Sequence, residues 1–221
     1  MSSSATTASV HGAVAHQFDD AEQQSQAVTL GMWVFLVTEI MFFGGLFAGY
    51  TLYRYSYPGA YASASHHLDV KLGAINTAIL ISSSLTMALA VYSATKAKKG
   101  ALSLFIVLTL VLGLAFLGIK AVEYGHKFEE HLVPGALFDR TLPDFAHQQL
   151  FFSFYFAMTG LHAAHMIIGI VIMIYILAQV MRSEASSRFA ARMEVMGLYW
   201  HFVDIVWIFL FPLLYLIGRH G

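Results

Sequence analysis

The sequence of 221 residues contains no cysteine, and Asp, Glu, Lys and Arg together make up only 11% of it. Without cysteine there are no disulfides, thiolate metal centres, iron–sulfur clusters, Cys-bridged copper or nucleophilic thiols. An ordinary soluble domain carries about 25% charged residues. This chain holds less than half the charge needed to cover a water-facing surface, which excludes a soluble enzyme of this size. Lys and Arg total 12 against 13 acids, so no basic excess points to nucleic acid. The first 27 residues lack Lys and Arg and have no long apolar run, so they do not resemble a cleaved signal segment.

What the chain does have is apolar length. Between Gln23 and Tyr53 the one charge is Glu39; Leu72 to Thr95, Gly100 to Ile119 and Ala146 to Met181 carry none; Val195 to Gly218 carries Asp204 alone. Each stretch reaches the roughly 20 residues that cross about 30 Å of hydrocarbon at 1.5 Å per residue. Backbone amides in lipid must be satisfied within the segment, so each stretch is predicted to be a helix. The expectation is an all-α, five-helix transmembrane bundle over residues 28–221, behind a polar tail at residues 1–27. The spans are expected near 28–53, 72–95, 101–122, 147–181 and 196–217. The connection at 54–71, with Pro58 and Gly59, reads as an extended loop; Pro134, Gly135 and Pro143 break helices in the long connection at 120–145. Lys96, Lys98 and Lys99 crowd one short connection and Arg182, Arg188 and Arg192 another. Positive residues in short loops favour the cytoplasm, giving an N-inside, C-outside orientation.

The informative residues are those that lipid does not tolerate. Glu39 lies roughly 16 Å into the first span by helical rise, where an acid costs about 2.5–3.5 kcal/mol on insertion scales. It must face protein, water or a partner, either as a proton-handling or docking carboxyl or as a structural acid bonded to a neighbouring helix. His162 and His165, three apart, share one face of the fourth span. Their depth, about 18–23 Å from the other end, overlaps that of Glu39, which permits a Glu39–imidazole contact between the first and fourth spans. Two histidines alone are weak evidence for a metal; a hydrogen-bonded pair stitching helices is the ordinary reading. Lys120 and Glu123 form an i, i+3 pair at the end of the third span, expected to snorkel. His201 and Asp204 repeat that spacing beside Trp200 and Trp207, where Asp204 is positioned to orient His201. Tryptophans near a helix end anchor at interfaces, so this cluster, like Trp33, is expected to meet lipid or a partner subunit. Gly44, Gly45 and Gly49 in the first span and Gly160 in the fourth provide small-residue spacings for close helix approach.

Several of these residues lie in longer motifs. GMWVFLVTEIMFFGGLF (31–47), NTAILISSS (76–84), KAVEY (120–124), FFSFYFAMTGLHAAHMIIG (151–169) and YWHFVDIVWIFLFPLLYL (199–216) resemble, in order, subunit III of haem–copper terminal oxidases. The resemblance covers nearly everything after the tail, and the last two motifs are long enough to be highly specific. It implies a non-catalytic, non-redox subunit of a cytochrome c or quinol oxidase in the bacterial inner membrane. Such a subunit packs against subunit I, with subunit II in the same complex, binds phospholipid and sustains proton uptake; haem and copper belong to the partner subunits. Glu39 and Glu123 correspond to the family's helix acids, His162 and His165 to its TGxHxxH helix, and His201 with Asp204 to its WHFVD segment. Many members have seven helices; the five here lack the first two, which form one wall of the lipid cleft. Two other readings are an accessory membrane subunit of a nitric oxide reductase system and a small proton-coupled carrier relaying protons through Glu39 and the histidines. The latter lacks the paired halves and broken helices of transporters.

Overall fold

A computed structural model describes residues 19–136, 138–182 and 189–216. Six α-helices follow in chain order: α1 (Ala21–Ser56), α2 (Pro58–His66), α3 (Val70–Thr95), α4 (Lys99–Glu129), α5 (Phe145–Arg182) and α6 (Ala190–Phe211), the last running into a π-helical turn at Pro212–Leu216. Among the described residues there is no strand. All but α2 are long and apolar enough to cross a membrane.

The ends follow local chemistry. Asp20 caps α1 by accepting the Gln23 amide at 2.7 Å, and Asp69 caps α3 by accepting the amides of Lys71 and Leu72 at 2.8 and 3.3 Å. The first helix therefore starts at Ala21, inside the stretch expected to be a polar tail. The connection expected to be extended is instead the helix α2. Pro58 opens it with a preset φ, and its Ala- and Ser-rich body then continues helically. Ala97, at φ 53°, turns the chain between α3 and α4. At Pro212 the ring removes an N–H and crowds the preceding turn, and the helix widens there to the π form. The Tyr50 hydroxyl donates to the nearby Leu213 carbonyl at 2.9 Å, satisfying a helix-end acceptor and pinning α1 to the end of the bundle.

α3 packs most extensively on α4 and also lies against α6, which closes on α5; α1 and α2 cover the remaining edge. The core is aromatic, with Trp200, Trp207, Phe116, Phe151, Phe152, Tyr155 and Tyr215 all buried. Close approach occurs at glycines other than those singled out above. A Cβ on Gly169 would sit 2.9 Å from Trp200, one on Gly113 3.1 Å from the same indole, and one on Gly73 2.7 Å from Phe211. Gly44 and Gly45 instead face open space, Gly49 merely touches Phe154, and Gly160 is 3.8 Å from the Tyr124 hydroxyl. Small residues permit a close crossing without dictating one. Here the space is taken by the bulk of Trp200, which needs Gly113 and Gly169 as its socket.

Gly169→Val is therefore expected to destabilise the detergent-solubilised chain by about 1–3 kcal/mol, through overpacking against Trp200. Gly44→Ala is expected to leave its thermal midpoint unchanged. Circular dichroism melting of the two variants checks both.

Candidate functional site

The polar residues flagged above do not converge on one centre. They occupy three places, each solved locally.

The first is the junction of α1 and α5. Glu39 Oε2 lies 3.2 Å from His165 Nε2, an ion-pair distance without hydrogen-bond alignment. This is the expected contact between the first and fourth long helices, and it selects His165 over His162. On the other side of the ring, Nδ1 is 2.9 Å from the Leu161 carbonyl. A carbonyl only accepts, so Nδ1 carries the hydrogen. That leaves Nε2 facing the carboxyl, and a carboxylate against a bare ring lone pair would be repulsive. An attractive contact there needs one proton on the pair, on the carboxyl beside neutral imidazole or on the ring beside carboxylate. Phe43 packs on the ring, with centroids 5.7 Å apart, and the Tyr199 hydroxyl donates to the backbone carbonyl of His165 at 2.9 Å. His162, one turn away, points elsewhere: its ring lies between Phe116 and Trp207, both centroids at 5.3 Å. Neither of its ring nitrogens has a hydrogen-bond partner among the described residues.

The second is a buried charge pair. Lys120 does not snorkel. It is 3% exposed and Glu123 2%, because α4 continues to Glu129 and so places Lys120 about 14 Å below its end. The far end of α4 is itself tied down. The Lys127 ammonium donates to the His67 carbonyl at 2.7 Å and pairs with Glu130; burial, with the Lys127 charge beside it, holds the His67 imidazole below the usual histidine range. All three Lys120 N–H donors are used: on Glu123 Oε2 at 2.9 Å and on the hydroxyls of Tyr155 and Tyr215, each at 3.0 Å. Tyr215 passes its own hydrogen to Glu123 Oε1 at 2.6 Å. The ammonium also lies 4.9 Å from the Tyr155 ring centroid and 5.3 Å from that of Trp207. Next to this cluster the hydroxyls of Tyr124 and Thr159 share a hydrogen bond of 2.6 Å. Sequence reading missed Tyr155 and Tyr215 as members of this network. The available signal was that tyrosines in the fourth and fifth apolar stretches need a polar partner for the hydroxyl when buried.

The third is the face between α3 and α6. Trp200 and Trp207 are not interfacial anchors: both are fully buried, and their indole N–H groups donate to Ser83 at 3.0 Å and Thr77 at 3.1 Å. His201 Nδ1 bonds the Ser84 hydroxyl at 2.7 Å, whereas Asp204 makes no hydrogen bond to His201 and does not orient it. Helix α6 begins at Ala190, which puts His201 roughly 17 Å along it rather than near its end. Of the tryptophans expected to meet lipid or a partner, Trp33 alone is exposed, at 53%. Among the described residues no three His, Asp or Glu side chains gather in a metal-binding arrangement.

Two outcomes are expected from these contacts. Glu123→Gln leaves Lys120 buried against a neutral amide, and a loss of about 3–5 kcal/mol in detergent unfolding is expected. The Lys120→Met/Glu123→Leu double variant should recover much of it, which a double-mutant cycle measures. Glu39→Gln keeps an N–H to donate to His165 Nε2. A loss within about 1 kcal/mol is expected, the size of a typical interhelical hydrogen bond in membranes; a loss of several kcal/mol would reveal an ionised pair instead.

The sequence matches the family model described as "Cytochrome c oxidase subunit III" over residues 10–219. The probable quinol oxidase subunit 3 of Staphylococcus saprophyticus subsp. saprophyticus is 33% identical over 208 residues, which is 92% of this chain and 96% of the relative. The cytochrome bo(3) ubiquinol oxidase subunit 3 of Pseudomonas aeruginosa is 31% identical over 205 residues, 93% of this chain and 92% of the relative. The nitric oxide reductase and carrier readings gain no support from these matches. A five-span bundle with this match along nearly its whole length belongs to the cytochrome c oxidase subunit III family, and the chain is a multi-pass inner-membrane subunit III of a bacterial haem–copper oxidase.

Proposed function

We propose that this chain is a supporting, non-redox subunit that packs against the haem-bearing subunit I, with subunit II in the same complex. The observation that carries this reading is the state of α1. Trp33 is 53% exposed, Val37 and Phe42 are similarly open, and Met41 is 73% exposed, while Gly44 and Gly45 offer flat, unfilled surface on the same helix. Contiguous apolar exposure beside small residues suits a neighbouring transmembrane helix or ordered phospholipid. Glu39 sits at the edge of this face with its proton-sharing partner behind it, a placement that suits assembly and proton uptake in the neighbouring subunit. The histidines and acids serve packing and proton placement, and the haem and copper that reduce oxygen are held by the partner subunits. The basic short connections orient the N-terminus to the cytoplasm. The names of the matched relatives favour quinol as the electron donor of the assembly.

Affinity-tagged chain purified from its native membrane is expected to bring down a haem-containing complex active in an in-gel oxidase assay. The separated chain should show no Soret band and no stoichiometric copper. Capture of no haem protein, or a stoichiometric metal on the separated chain, would overturn the proposal; turnover with quinol compared with reduced cytochrome c tests the donor.

A further inference from the structure

Between α3 and α6 lies a cavity of about 400 Å³ whose polar lining is Ser84, His201 and Asp204. Its apolar rim includes Leu85, Ile205 and Ile208, at 62%, 50% and 45% exposure. With no neighbouring subunit on this face, such a rim would open sideways into hydrocarbon. Ser84 lies about 21 Å from one end of α3 and about 17 Å from the other, so the notch sits near mid-span.

Asp204 is 3% exposed and lines this cavity, yet neither of its carboxyl oxygens has a hydrogen-bond partner among the described residues. Ser84, beside it, is already bonded to His201 Nδ1 at 2.7 Å. Buried polar groups are normally matched, and an acid at this depth is costly when it is not. The serine has one hydroxyl hydrogen and can serve at most one carboxyl oxygen, so at least one oxygen of Asp204 is left for a group from outside the chain. His201 Nε2, whose ring is held in place through Nδ1, provides a second polar atom in the same lining.

Depth and size define the occupant. A diacyl lipid keeps its headgroup at the interface, about 15 Å from the centre of a 30 Å core, so its polar part does not reach Asp204. A charged ligand is disfavoured in hydrocarbon. The volume falls within the roughly 300–1,000 Å³ of small-molecule pockets and exceeds what one side chain of a crossing helix would fill. We propose that this notch binds a neutral, membrane-dissolved ring bearing two hydroxyl or carbonyl oxygens, the quinol and quinone class, with one oxygen directed to Asp204 and the other to His201. The apolar rim admits the ring and its tail laterally; the acid and the imidazole distinguish it from an acyl chain. The step is binding alone. It requires that no neighbouring subunit fills the notch in the assembled complex.

The test uses the full chain in phosphatidylcholine nanodiscs with a decyl-substituted azidobenzoquinone as photoprobe. Saturable labelling within residues 80–88 or 201–208, competed by excess decylbenzoquinone, is the expected result. Asp204→Leu is expected to reduce labelling at least tenfold, and Asp204→Asn, which keeps a hydrogen-bonding amide, should reduce it less. Ile208→Trp fills the notch from its rim without touching the acid and should abolish labelling, with circular dichroism confirming an intact fold. Absence of saturable labelling, or equal labelling of Asp204→Leu, would overturn the proposal. So would disulfide capture of Ile81→Cys by a neighbouring subunit in the purified oxidase complex, which would identify a protein occupant.

Discussion

A formal positive charge in the middle of a membrane protein survives only if every hydrogen on it is received by the protein itself. Lys120 meets that condition fully: a carboxylate and two tyrosine hydroxyls take its three hydrogens, and aromatic faces surround the remainder. Much of the bundle follows from this. Glu123 lies one turn along α4, Tyr155 comes from α5 and Tyr215 from the widened turn after α6, so one ammonium group ties three chain segments together. The π-helical turn forced by Pro212 carries Tyr215 within reach, so an apparent defect at the end of α6 takes part in the neutralisation.

The same economy governs the tryptophans. Trp200 is accepted into the core because Gly113 and Gly169 leave room for its rings and Ser83 receives its N–H; Trp207 finds Thr77. Helix pairing is thus set by large aromatic side chains fitted into glycine sockets, each with one hydrogen bond fixing its rotation. In lipid, where hydrophobic attraction between helices is weak, such shape matching and hydrogen bonding are the main sources of specificity.

The span count, the helical class and a Glu39–histidine contact between the first and fourth spans were legible in the sequence because they follow from charge spacing and helical rise, both of which are local arithmetic; which of the two histidines took part was not. Lys120 was misread because the third apolar stretch ends near Ile119, whereas the helix continues to Glu129 and other elements cover it; burial of a charge is decided by neighbours that no single stretch reveals. Trp200 and Trp207 were misread for a related reason. Their stretch begins near Val195 but the helix starts at Ala190, which moves Trp200 from an apparent interface toward mid-span, while Trp207 already lay deep in its stretch. The glycines of α1 failed as packing predictors because spacing describes only what is permitted; the partner's bulk decides what happens. Tyr155 and Tyr215 could have been found only by asking where a buried hydroxyl would place its hydrogen.

Helix α1 is clipped to the rest of the chain near its middle by Glu39 and His165 and near its far end by Tyr50 and Leu213, with its outer rows unengaged. It resembles a barrel stave more than a central pillar. With the outer rows as the proposed docking face, damage would divide accordingly: changes on the inward edge are felt by the lone polypeptide, whereas those on the outward rows stay silent until the oxidase is put together. For genetics, that docking would sort harmful α1 alleles into two groups, one depleting the subunit and the other leaving normal amounts of it orphaned in the membrane.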